Sequence, residues 1–351
     1  MNIKENIKGI PPYVPGIKID GKEKLSSNEN PLGSSPKAIS AIKNIDSYSI
    51  YPDGSSSELR DALSNKYNLK PENFIVGNGS DEILTWPSLC LINNGDNAVT
   101  GQNTFSEYTF STLITNGEIR KAPLINGTFN VNEIVNLVDA KTKIIYVCNP
   151  NNPTGTYLPK SEILKLINSV SSEILIVIDE AYGEYGDENF YSFIPEINNY
   201  PNLLVLKTFS KIYGLASLRL GYAVANEDLI LNLWKTKQPF NVNQAAQVGG
   251  LAALDDIDFV KKSIEMNNRG KKYIYNELNR LGLEYYETQA NFICINVNKD
   301  CKEVYNSILE QGMTIRPCTS FGLPTHIRIT IGTEEQMKKF IKYLEIAISD
   351  I

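Results

Sequence analysis

The sequence predicts an α/β fold: a mostly parallel central sheet with helices on both faces, followed by a smaller α+β domain at the C-terminus. Three observations carry that expectation. From Phe74 onward, short apolar runs alternate with amphipathic stretches, the pattern of right-handed βαβ crossovers. The runs IIYVC, ILIVID and NLLVLK are apolar almost throughout, as strands covered on both faces must be. After LRLGYAVA the grain changes to longer helices and alternating-period strands, which read as a second packing unit.

Taken in order, residues 1–27 form an arm, because Pro11, Pro12 and Pro15 favour an extended path over a regular helix. A large domain is expected over 28–243 and a small one over 244–351. SSNENPLGSSP is turn-rich, with Asn28, Glu29 and Asn30 available to line a site mouth. PKAISAIKNI gives a short helix, and a second follows the serines after YPDG, with Leu59, Leu63 and Tyr67 on one face. NFIVGNGSDEIL reads as strand, loop and helix, the helix opened by Ser80, Asp81 and Glu82. DNAVTG, KTKIIYVC, ILIVID and NLLVLK are strands, with TFSEYTFSTLI, NVNEIVNLV and LPKSEILKLINSV as helices among them. Glu227 to Lys237, Asn243 to Leu254 and Phe259 to Leu281 read as helices. ANFICINV, MTIRP and HIRITIG then supply strands, KEVYNSILEQG a helix, and Glu334 to Ile348 the last one.

Composition removes several classes of function. A chain of 351 residues with 42% hydrophobic content fills ordinary cores. A net charge of −6 offers no basic field for nucleic acid or anionic lipid. No apolar run approaches the ~20 residues of a membrane span, and MNIKENIKGIPPYVPG lacks an apolar signal core. Five scattered cysteines without a CxxC pair argue against disulfides and for a reduced, cytoplasmic protein. The single histidine, His326, excludes a histidine-rich metal site, and no metal is expected.

Ligands of open parallel sheets bind beyond the C-terminal strand ends, and the polar clusters of this chain fall there. GNGSDE places two glycines and a hydroxyl before a helix, where free N–H groups and the macrodipole suit a phosphate. NPNNPTG follows IIYVC as a rigid turn able to aim Asn152 into the crevice. Asp179 ends a buried strand, a costly place for a carboxylate without a cationic partner. TFSKIYGLASLRLGY presents Lys211, hydroxyls and Arg219. An enzyme handling a phosphate-bearing aldehyde needs that set: an amine for a Schiff base, and hydroxyls with a guanidinium for the phosphate. Helix capping and surface charge are the bland alternatives at each cluster.

In this order and spacing, GNGSDE, TF, NPNNPTG, DEAY and TFSKxxGLxxxRxGY resemble the fold-type I family of pyridoxal-phosphate enzymes, the aspartate-aminotransferase superfamily. The resemblance spans essentially the whole chain. It implies pyridoxal 5′-phosphate as cofactor, with Lys211 holding it and moving the substrate proton, and Asp179 pairing with the ring nitrogen. It further implies that Tyr182 and Asn152 bond the ring oxygen and that Phe105 stacks on the ring. Ser80, Asp81, Glu82, Thr208, Ser210 and Arg219 would form the phosphate cup, completed by Tyr51 of a second subunit, so a homodimer is implied. Within the superfamily, the arm PPYVPG, LSSNENPLG, YPDG, TFSEY and IRP…GLPTHIRITIGTEEQ most resemble the histidinol-phosphate aminotransferases. That implies transamination between L-histidinol phosphate and 2-oxoglutarate, with Arg328, Arg316, Asn30 and Tyr13 on the substrates. QNTF and Ser217 depart from the usual pattern. The rival readings are an aromatic-amino-acid aminotransferase, a threonine-phosphate decarboxylase, or a regulatory protein retaining the fold. Acidic charge and the lack of spare length disfavour the last.

Overall fold

The computed structural model describes residues 1–12, 16 and 18–349. The N-terminal segment contributes β1 (Glu23–Lys24). The central sheet is built from β2 (Phe74–Gly77), β3 (Asn97–Gly101), β4 (Glu118–Ala122), β5 (Thr142–Cys148), β6 (Leu175–Asp179), β7 (Leu203–Thr208) and β8 (Gly221–Ala225). Across the sheet the order is β2-β8-β7-β6-β5-β3-β4. β7, β6, β5, β3 and β4 pair in parallel, whereas β8 is antiparallel to both β7 and β2. β5 and β6 bury nearly every side chain, which explains their unbroken apolar runs. The order puts the C-terminal ends of β5, β6 and β7 side by side, so Cys148, Asp179 and Leu206 stand nearly level.

The smaller unit holds β9 (Glu284–Tyr285), β10 (Phe292–Asn296), β11 (Met313–Thr314), β12 (Arg316–Pro317) and β13 (His326–Thr330). Four of these form an antiparallel sheet in the order β12-β13-β10-β9, while β11 pairs in parallel with β1. The arm is therefore stitched to the small unit: Leu25 N donates to Thr314 O and Thr330 N to Leu25 O. A four-residue helix, Glu5–Lys8, capped by Gly9, precedes Pro11 and Pro12.

Two apolar cores divide the molecule. The larger reaches from Ala38 to Ala253, and the smaller takes Leu25 with residues 274–347. The helix Gln244–Leu254 packs Ala246 and Ala253 into the larger core. The long helix Ile257–Leu281 leans Val260 and Ile264 on the large core and buries Ile274 and Leu278 in the small one. This one helix thus contributes to both cores. A small third cluster, Ala181 and Tyr182 with Ala290 and Phe292, joins the two units beside the strand ends. Among the described residues no helix is long and apolar enough to cross a membrane, and no group of three acidic, cysteine or histidine side chains is placed for a metal.

Candidate active site

Strand alternation selects what faces the crevice. At the end of β6, Asp179 is 3% exposed. Its Oδ2 accepts from the Tyr108 hydroxyl at 2.7 Å and its Oδ1 from Ala181 N at 3.0 Å. Burial pushes the carboxyl up to about 6, against the pull of those two hydrogen bonds. No cation pairs with it among the described residues. Glu180, the next residue, points to the opposite side of the sheet, because successive side chains alternate.

β7 ends at Thr208, whose Oγ1 accepts from Ser210 N at 3.1 Å and folds the chain into a hydroxyl-lined turn. Gly214 (φ +65°) carries this loop so close to the Asn28–Gly33 turn that a Cβ there would lie 1.9 Å from Gly33 O. Lys211, partly exposed to the crevice, donates from Nζ to Ser27 O at 3.2 Å and lies 5.6 Å from the centre of the Tyr182 ring. Burial of its amine, with the nearby Arg328 charge, pulls Lys211 down to about 8. Arg219 holds a left-handed backbone (φ +53°) and reaches Asp81 Oδ2 at 3.0 Å. Gly79 (φ +87°) precedes the helix Ser80–Leu91, and a Cβ on it would sit 2.5 Å from Arg219 Nη2. Bare backbone, a helix start and a guanidinium thus lie side by side, the donor set an anion needs.

Of the NPNNPTG turn, Asn149 is bound to Leu158 and Asn151 to Thr104, Asn103 and Thr154. Asn152 alone is turned outward, where its Oδ1 accepts from Arg328 Nη1. Arg328, 6% exposed, also donates from Nη2 to Ser26 O at 2.9 Å and packs between Phe292 and Phe321. Its Nε is buried without a partner, and burial lowers its affinity for its proton. Arg316 stands opposite it in register on β12 and donates to Ser320 Oγ at 3.4 Å. Two guanidiniums on adjacent strands make a place for an anion.

Tyr182 is buried, edge-on to Phe292 at 5.0 Å, and its hydroxyl accepts from Asn28 Nδ2 at 3.0 Å. Phe105 lies at the crevice, edge-on to Tyr108 at 5.8 Å. Two of the expected site residues have other partners. Glu82 accepts from Asn78 N and Asn241 Nδ2, both at 2.6 Å; an acceptor-only carboxylate so engaged braces the loop and donates nothing to a phosphate. Asn30 uses both amide hydrogens on Ile212 O and Ser263 Oγ, each at 2.9 Å, so it pins the turn instead of lining the site. Tyr51 is 78% exposed and stacks on Phe240, away from any buried cup of its own chain. Tyr13 lies outside the described residues. Sequence reasoning gave no role to Tyr108 or to the Asn28–Tyr182 contact. Tyr108 lay within the quoted TFSEY, and its hydroxyl was the available signal.

Comparison with known proteins addresses the family of the chain. The model of the family described as aminotransferase class I and II matches residues 20–344. The chain is 42% identical to a histidinol-phosphate aminotransferase of Caldicellulosiruptor saccharolyticus, covering 97% of this chain and 99% of that one. It is 41% identical to the Halalkalibacterium halodurans protein of the same name, over 96% and 94%. Among solved structures, a histidinol-phosphate aminotransferase of Sinorhizobium meliloti in complex with pyridoxal-5′-phosphate superposes with a TM-score of 0.91 at 22% identity, over 99% and 98%. An L-threonine-O-3-phosphate decarboxylase of Porphyromonas gingivalis gives 0.82 at 25%, over 93% and 99%.

Proposed function

The chain belongs to the aminotransferase class I and II family, and from that premise we propose that it transaminates L-histidinol phosphate with 2-oxoglutarate, using pyridoxal 5′-phosphate. The products are imidazole-acetol phosphate and L-glutamate, a step of histidine biosynthesis. The residues fit such a cofactor. The helix start at Gly79 and Ser80 would hold its phosphate with Thr208, Ser210 and Arg219, the Lys211 amine its aldehyde, Asp179 its ring nitrogen, and Tyr182 and Asn152 its ring oxygen. When bound, it supplies an electron sink that no side chain offers.

The chain's own groups supply the rest. Lys211, with no carboxylate in contact and lowered to about 8, takes a proton from the substrate Cα and returns one on the other side of the exchange. Asp179, held by Tyr108 and Ala181, would offer a fixed negative charge to a protonated ring nitrogen. Phe105 closes one face of the crevice and keeps water from it. Arg328, with an orphaned buried Nε beside Arg316, grips the carboxylate of glutamate in one half-reaction and the phosphate of the donor in the other. That unsatisfied guanidinium is the observation that carries the substrate reading. A guanidinium fork accepts either anion bidentately.

The site is shared in a homodimer. Tyr48, Ile50 and Tyr51 are 68–78% exposed beside the half-exposed Phe240, apolar surface that a second copy would cover, and Tyr51 would then reach the partner's phosphate cup.

Half-reactions followed at the cofactor absorbance band test the substrate. L-Histidinol phosphate is expected to convert fastest, ahead of phenylalanine and of threonine phosphate. Faster conversion of phenylalanine, or carbon dioxide release from threonine phosphate, overturns the reading.

A further inference from the structure

The turn entering the large unit touches three functional groups with three consecutive residues. Ser26 O accepts from Arg328, Ser27 O from Lys211, and Asn28 Nδ2 donates to the Tyr182 hydroxyl. The last contact differs from the other two, because it decides where a proton points. A phenol hydroxyl has one hydrogen. While its oxygen accepts from an amide N–H, that hydrogen is turned away from Asn28.

Asn28 is built to stay. Its backbone is left-handed (φ +56°), a conformation that asparagine tolerates better than most residues. Its N donates to Thr330 Oγ1 at 2.9 Å, and its O accepts from Asn291 Nδ2 at 3.0 Å. Both anchors belong to the small unit, so the turn is clamped there while its side chain reaches across to β6. The residue is 2% exposed, and its Oδ1 is buried without a partner. An orphaned buried acceptor is destabilising, and backbone strain of this kind persists where the surroundings over-determine it. Fold stability alone gives no reason for either. The charged and titratable groups around the Tyr182 hydroxyl are Arg328, Cys148, Asp179 and, 5.6 Å from the ring centre, Lys211, and none of them replaces a neutral donor at 3.0 Å.

We propose that Asn28 is a positioning residue that fixes the Tyr182 hydroxyl rotor, aiming its single hydrogen into the crevice at the cofactor's ring oxygen. This rests on the functional reading above. Asn28 touches no reacting atom; it acts through Tyr182.

The test uses holoenzyme and two variants. Asn28→Gly suits the left-handed backbone and removes only the amide. Asn28→Asp substitutes an acceptor, which draws the phenol hydrogen toward itself. The pH midpoint of the cofactor absorbance change is expected to rise in both variants, by roughly one unit in Asn28→Asp and less in Asn28→Gly, the size one hydrogen bond supports. Melting of the cofactor-free proteins controls for folding, with Asn28→Gly expected close to the parent. A midpoint unmoved in both variants overturns the inference. So does a shift in Asn28→Gly alone, because the amide would then be accepting from Tyr182. Failure of the parent protein to bind the cofactor with a borohydride-sensitive band would instead sink the functional reading, and the two failures are therefore distinguishable.

Discussion

Lys207 and Lys211 lie four residues apart, both with amines sunk in protein, and the fold gives them opposite chemistry. Lys207 is 4% exposed on the side of β7 away from the crevice. Its Nζ meets Glu184 Oε1 at 2.8 Å and Glu180 Oε2 at 3.5 Å. Burial alone would lower it, but the two carboxylates outweigh burial and hold its proton more tightly than usual. Glu180 is in turn saturated by Phe193 N and Ser192 Oγ, both at 2.7 Å. Lys211 has no carboxylate in contact, only a carbonyl, and falls to about 8. Burial lowers an amine's proton affinity at both positions, and the reactive amine is the one whose burial no contacting carboxylate offsets. The same division separates Asp179 from Glu180: one carboxylate waits for a cation, while its neighbour already has one.

The sharpest way to break the comparison is to remove each amine in turn. Lys211→Ala should lose roughly 10⁴-fold in turnover and give no absorbance band that borohydride bleaches. Lys207→Met should keep the band. A Lys207→Met protein that folds but has lost it would show that the two lysines are not divided as described.

Stability measures the other half. Removing the amine of Lys207 strands a buried carboxylate, and urea unfolding of Lys207→Met should show a loss of about 3–5 kcal/mol. The double variant Lys207→Met/Glu180→Gln, which leaves only the partly exposed Glu184 without its partner, should recover much of it. Lys211→Ala should cost far less, since no carboxylate depends on that amine.

The sequence exposed half of this arrangement. Lys211, Asp179, Asn152 and Arg219 were legible because each sits at or just past a strand end, where local pattern and site coincide. The DE pair ending β6 and the KT pair ending β7 carried a second message through strand alternation: one member of each faces the crevice, and the other must be satisfied behind it. The antiparallel course of β8 was less visible, since LGYAVA reads like any buried strand. Its signal was the connection from Phe209 to Leu220, which has no helical period and so cannot make the usual crossover. Contacts such as Asn28 with Tyr182 or Tyr108 with Asp179 join residues 154 and 71 positions apart. Only tertiary packing brings them together, so the sequence does not distinguish the parts that Asn28 and Asn30 play. The cup at Gly79 was legible as a helix start, but which acids turn toward it was not.

The smallest effect, and the one that isolates the two lysines most cleanly, is the pH dependence of cofactor-free stability. Lys211 has its proton affinity lowered in the fold, to about 8 from an ordinary 10.5, so the unfolded chain binds more protons between those values and stability rises with pH across them. Lys207 is raised, so its contribution is complete below the ordinary lysine range and is lost as pH climbs above it. Asp179, raised to about 6 from 3.8, adds a fall in stability as pH rises from 3.8 to 6. Each slope is at most about 1.4 kcal/mol per pH unit for one proton. Denaturant midpoints should therefore gain a slope between pH 8 and 10.5 that disappears in Lys211→Met and survives in Lys207→Met. If the slope survives in Lys211→Met instead, the missing counter-ion at Lys211 is not what sets its proton affinity.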